Sequence, residues 1–171
     1  DNAWREFMIK VTGKGNTSAT IIAHSESAVD GKEIITYELE YHRYIHGELM
    51  THRSLSRNAA SSRAIPVSKM IDLVRTSPAT PIHWGKNQAG MQASEECNND
   101  VSMDWDYYND EPVHGTPEDA WAEASSHAMY KAECFNEAGY HKQITNRLLE
   151  PFQMIKVVVT ATEWDNFFWL R

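Results

Sequence analysis

The chemistry-bearing residues of this chain crowd into one window. Between Glu48 and Asp72 there is no carboxylate, while Arg53, Arg57, Arg63 and Lys69 fall inside, together with His52 and serines at 54, 56, 61, 62 and 68. The chain as a whole is acidic, with a formal net charge of −8 at pH 7. Guanidinium groups present forked donors that match two oxygens of a phosphate or carboxylate at once. Serine hydroxyls and the free N–H groups of a loop add uncharged donors. The run "THRSLSRNAASSRAIP", residues 51–66, therefore fits an anion cradle. It fits a solvated basic loop paired with surface carboxylates equally well.

Other reactive residues are scattered. Arg147 has Leu148 and Leu149 beside it, and Arg171 follows the run "NFFWL". An arginine so placed either pairs with a carboxylate or faces a ligand. His42 and His46 are four apart, which could set both on one helical face for a metal and so suggests a metal hydrolase. No Glu follows in an HExxH arrangement, spacing identifies no third ligand, and no metal site is expected. Cys97 and Cys134 have no metal-binding spacing and no base beside them, so neither has support as a nucleophile.

These groups must be positioned by a folded core. With 42% hydrophobic residues, six Trp, seven Tyr and five Phe in 171 residues, the chain is long enough to bury one. The expectation is a single α/β (α+β) domain over 1–171, with a mixed, mostly antiparallel sheet flanked by helices. "WREFMIKV", "SATIIAHS" and "IITYELEY" read as strands separated by the turns "TGKGNTS" and "VDGKE". "RYIHGELMTHR" has the helical period, and Ser68 is the expected cap of a helix "KMIDLVR". Residues 76–115 read as a long irregular insertion. Thr116 to Asp119 open a helix that stops at Gly139. "HKQITNRLLEP" predicts a shorter helix, "MIKVVVTAT" a buried strand, and Thr162 with Asp165 a capping box for "EWDNFFWLR".

Charge argues against nucleic acid or an anionic membrane surface as partner, because no basic stripe offsets the repulsion. No apolar run approaches a membrane span. Two cysteines make no disulfide framework, so the expected setting is the cytoplasm, of a host cell if the chain is viral. The missing initiator Met and the aromatic stop lead us to expect a fragment, cut short at its C-terminus.

The same residues carry a resemblance. Thr51-His52-Arg53, then seven residues, then Ser61, resembles the Arg-His-Arg…Ser signature of the flavin-dependent thymidylate synthases, in a divergent, phage-like form with Thr for the first Arg. "YELEYHRYIHGELMTHR", "HKQITNRLLEPF" and "TATEWDNFFWLR" are similar to further landmark segments of that family, in the same order; the stretch 76–115 has no counterpart. The resemblance implies the family's fold and its reaction, reductive methylation of dUMP to dTMP with methylenetetrahydrofolate, FAD and NADPH. It also implies a homotetramer with flavin held between subunits. By position it assigns Thr51, His52, Arg53, Asn58 and Asn166 to FAD. Glu48, Ala60, Ser61, Ser62, Arg63, Arg147 and Arg171 fall to dUMP, with Glu48 toward the uracil edge. The catalytic assignments are Arg147, His52 and Arg53. A non-catalytic fragment of that family, binding nucleotide or flavin without turnover, is the alternative.

Overall fold

The structure is a computed structural model that describes residues 9–106 and 109–169. Its centre is a five-stranded sheet in the order β1-β2-β3-β7-β4. The strands are β1 (Lys10–Thr12), β2 (Ser18–Glu26), β3 (Glu33–His42), β4 (Ser56–Ala59) and β7 (Met154–Ala161). All four pairings in it are antiparallel. The architecture is α+β, an antiparallel sheet flanked by helices. Most of "WREFMIKV" lies outside the described residues.

The alternation read in "IITYELEY" sorts β3 between two faces. Ile35, Tyr37, Leu39 and Tyr41 pack with Ile155, Val157, Val159 and Ala161 of β7 against Leu49, Leu55 and Trp164. Burying each large aliphatic chain there is worth roughly 1.5–3 kcal/mol. On the opposite face, Thr36 and Thr160 share a hydroxyl contact of 2.9 Å, and Lys156 lies 3.8 Å from both Glu38 and Glu40. Strand β7 therefore alternates along its length, and the buried strand its β-branched run had suggested is buried on one face.

The β1–β2 turn approaches the end of β3 closely. Gly15 has φ +61°, and a Cβ there would come within 2.9 Å of His42 Nε2. That nitrogen meets the Gly15 carbonyl at 2.8 Å, so it must carry the proton, and Nδ1 accepts from the Tyr44 hydroxyl at 2.8 Å. Both ring nitrogens of His42 are thereby engaged.

A second apolar cluster forms beside the sheet. Helices α2 (Val67–Thr76) and α3 (Pro117–Glu137) pack with the 3₁₀ helix Asn146–Phe152 around Val74, Ala132, Leu149 and Phe152. Thr116 and Asp119 form the expected capping box on α3, which stops before Gly139 at φ +83°. Between α2 and β7 a hollow of about 160 Å³ remains, walled by Met70, Leu73, Val74, Met154 and Ile155.

Local expectations shifted in several places. "RYIHGELMTHR" splits into a 3₁₀ turn, Arg43–Ile45, and one turn of helix, α1 (His46–Leu49). Pro66, not Ser68, occupies the N-cap of α2. "HKQITNRLLEP" gives α4 (Lys142–Thr145) and then the 3₁₀ helix through Pro151. The final helix, α5 (Asp165–Trp169), starts two residues inside "EWDNFFWLR". Within 76–115 the chain also forms a two-stranded ribbon, β5 (Val101–Asp106) with β6 (Glu111–Gly115). No helix among the described residues is long and apolar enough to cross a membrane.

Candidate functional site

The Arg/Ser window and the segment around Arg147 are joined by one buried amide. Asn146, 1% exposed, donates its two Nδ2 hydrogens to the carbonyls of Ser62 (2.8 Å) and Ile65 (2.9 Å). Gln153, 2% exposed, donates to the Asn146 carbonyl at 3.0 Å. These bonds fix the 3₁₀ turn Ser62–Ala64 against the first residues of the helix that carries Arg147. Asn146 Oδ1 is buried without a partner among the described residues.

Around this junction, donors converge on Glu150. Its Oε1 accepts from Arg43 Nη2 and from Ser62 Oγ, each at 3.2 Å, and Arg147 Nη1 lies 3.9 Å from Oε2. The two arginines differ. Arg43 is 22% exposed and well placed, whereas Arg147 is 66% exposed and at the limit of ion-pair distance, so little holds its guanidinium in place. Arg63 is exposed and has no ion-pair partner among the described residues. A groove of about 480 Å³ runs past Arg43, Tyr44, His46, Arg147 and Glu150. Ser61 lies exposed beside Ser62 at the start of the turn, and Ala60 N–H is committed to Lys156 O at 2.9 Å. An exposed Arg63 and a loosely paired Arg147 beside the Ser61 hydroxyl, on elements fixed to each other, suit a phosphate or another oxyanion.

Residues assigned by resemblance to flavin are gathered in part. Thr51, His52 and Arg53 form the turn after α1, and Thr51 Oγ1 donates back to Glu48 O at 2.7 Å. The His52 ring meets Phe167 edge-to-face at 5.1 Å, which brings this turn to α5 and the neighbouring Asn166. Arg57, which carried no assignment, shapes the turn: its guanidinium donates to the carbonyls of His52, Leu55 and Met50. Arg53 and Glu48 are exposed. Asn58 lies between Arg57 and Ala59 in β4, so it occupies the other face of the sheet, apart from His52 and Asn166. Arg171 falls outside the described residues.

Arg43, Asn146, Glu150 and Gln153 were not singled out from the sequence. Only the three-residue spacing of Arg147 and Glu150 pointed to one of them. Among the described residues no three His, Cys, Asp or Glu side chains gather in a way that could hold an ion.

Titrations are shifted at the groove and just behind it, and burial raises the Tyr44 hydroxyl in its wall. Burial pushes the Tyr41 hydroxyl up to about 12, against the opposing pull of Arg57. Burial, and then the charges of Arg43 and Arg57, lower His46, whose Nδ1 lies 2.7 Å from Tyr41 Oη. A histidine lowered on folding stays neutral while its unfolded counterpart takes up a proton, so stability is lost as pH falls below about 6.5. Urea midpoints measured between pH 7.5 and 5 should fall less steeply for His46→Gln than for the native chain. Parallel slopes would show that His46 adds nothing to the acid sensitivity.

No family model and no curated protein matches the chain. Among solved structures it is similar to a UMP/dUMP methylase PolB from Streptomyces cacaoi bound with 5-Br UMP, at TM-score 0.49 and 12% identity, over 89% of this chain and 74% of that one. A second structure of that methylase, bound with 5-Br dUMP, matches at TM-score 0.42 and 14% identity, over 75% of this chain and 49% of that one. Neither assigns a role to a residue here.

Proposed function

We propose that the chain is a flavin-dependent thymidylate synthase, carrying out reductive methylation of dUMP to dTMP with methylenetetrahydrofolate, FAD and NADPH. The observation that carries this reading is the Asn146 junction. It brings the Ser61–Arg63 turn and Arg147, far apart in sequence and assigned to one nucleotide by resemblance, into a single cluster of donors.

In this reading Arg63 and the Ser61 hydroxyl take the dUMP phosphate, while Ser62, its hydroxyl given to Glu150, holds the turn in place for the nucleotide. Arg147, loosely held by Glu150, turns to the nucleotide and stabilises negative charge developing on the base. Ser61 binds and does not attack, since the motif positions no general base beside it. The turn at His52 and Arg53 fits a flavin: an exposed guanidinium suits its diphosphate, and the His52–Phe167 pair offers an aromatic edge for a flat ring. Bound FAD supplies the hydride chemistry. His52, Arg53 and Asn166 orient it, and assembly into a homotetramer supplies the contacts one chain lacks, Asn58 among them.

One observation favours the alternative of a nucleotide-binding chain without turnover. Thr51 stands where the family has an arginine, and its hydroxyl is spent on Glu48 O. Deoxyuridylate-dependent NADPH oxidation with dTMP formation supports the enzyme. A colourless protein that FAD does not reconstitute, yet binds dUMP, supports the alternative. Either way Arg63→Ala should weaken dUMP binding by about 1.5–3 kcal/mol, roughly 10- to 150-fold, in calorimetry. An unchanged affinity would remove Arg63 from the phosphate site.

A further inference from the structure

Segment 76–115 takes no part in the anion cluster, yet it is constructed. Residues 83–97 fold back on themselves, with Lys86 N–H bonded to Glu95 O and Cys97 N–H to Trp84 O, each at 2.8 Å. Side-chain bonds brace the fold: His83 Nδ1 to Glu96 at 3.0 Å and Lys86 Nζ to Glu95 at 3.3 Å. The result presents Trp84 to the start of α3, where it meets Trp121 edge-to-face at 6.1 Å.

Trp121 is itself immobilised. Its Nε1–H donates to Ala79 O at 2.9 Å, and its ring packs against Phe152 at 5.3 Å and Tyr44 at 6.1 Å. Between the folded segment and α3 lies a hollow of about 510 Å³, walled by the two indoles, Pro81, Val101 and Ala120, with His83 and Asn99 as its polar lining. A second hollow of about 400 Å³ adjoins it, sharing Pro81, Trp84, Cys97 and Pro117, and is lined by Glu96, Asp100 and Glu118. Glu96 is paired with His83, but Asp100 and Glu118 have no cationic partner among the described residues.

We propose that the joined hollows bind a small organic cation with an apolar body, an aryl- or alkylammonium. The first hollow has the volume of a small-molecule site and the apolar walls such sites use. Indole faces attract cations more strongly than any other side-chain ring. The second hollow supplies unpaired negative charge within reach of the same Trp84. Because the walls are already fixed by hydrogen bonds and ring contacts, little ordering opposes binding. A neutral aromatic molecule can use the first hollow only, and an anion is repelled by the second.

The test titrates the full chain with benzyltrimethylammonium, benzyl alcohol and benzoate, by calorimetry and tryptophan fluorescence. Saturable binding of the ammonium is expected, with benzyl alcohol weaker by about tenfold and benzoate silent. The double variant Asp100→Asn, Glu118→Gln should weaken the ammonium about tenfold without changing the binding of benzyl alcohol. Trp84→Leu should weaken both, with an unchanged far-ultraviolet spectrum confirming the fold. No saturable ammonium binding at millimolar concentration overturns the proposal. So does benzoate binding as tightly as the cation, or an ammonium affinity that ignores both variants.

Discussion

Asn146→Asp is expected to lose about 3–5 kcal/mol of stability at neutral pH, the range for a charge buried without its partner. The amide sits 1% exposed and spends both hydrogens on the Ser62 and Ile65 carbonyls. A carboxylate of the same shape turns an oxygen toward those two oxygens and has nothing to donate. Protonation restores one of the two bonds, so the folded state raises this carboxyl above its unfolded value of about 3.9. A carboxyl raised on folding keeps its stability below the unfolded value and loses it as pH climbs through the folded one. Urea unfolding at pH 5 and pH 7.5 should therefore show a deficit that widens at the higher pH. A deficit under about 1 kcal/mol, or one equal at both pH values, would show that the amide does not hold the junction as described.

The second large effect belongs to Leu149→Ala. Leu149 is 0% exposed and sits where α2, α3 and the 3₁₀ helix Asn146–Phe152 meet, with Val74, Ala132 and Phe152 around it. Truncation removes buried methyl groups and leaves a void that three packed elements close only in part, so about 2–5 kcal/mol is expected. The flanking Leu148 is 37% exposed, and Leu148→Ala serves as the control with under about 1 kcal/mol. Comparable losses in the two variants would mean that the packing around Leu149 is not the tight side of this helix. Leu149 lies between Arg147 and Glu150, so a looser core there should also weaken the dUMP binding proposed above.

Much of this scaffold was legible because local signals agreed with the tertiary result. The alternation of Ile35, Tyr37, Leu39 and Tyr41, the Thr116–Asp119 capping box and Gly139 after α3 each act within a few residues. What escaped detection depends on distant partners. "SRNA" has no apolar pattern, and it becomes strand β4 because Ser56 to Ala59 pair with Thr160 to Val157. "VSMDWD" and "EPVHG" carry acids and a proline, yet they pair with each other as β5 and β6.

The same division runs through the site. The concentration of Arg and Ser in the window was visible in its residue types, and Arg147 in its setting. That both face Glu150 was not visible, because Arg43, Ser62 and Arg147 reach it from three separate parts of the chain. Nor could the window show that Arg57 would turn inward to carbonyls while Arg53 and Arg63 stayed exposed. Strand alternation decides that for Arg57, once β4 exists.

The two apolar clusters have a consequence for cooperativity. One binds the sheet to α5, and the other binds α2, α3 and the 3₁₀ helix Asn146–Phe152. Along their boundary lie the 160 Å³ hollow and the bonds of Asn146, Gln153 and Glu150, a seam of polar links and incomplete packing. Units joined in this way open with free energies of their own. Amide exchange should therefore divide the protein into two protection classes along the seam. The donor cluster takes residues from both sides, so it exists only while both halves are closed, and the less durable half sets how long it lasts.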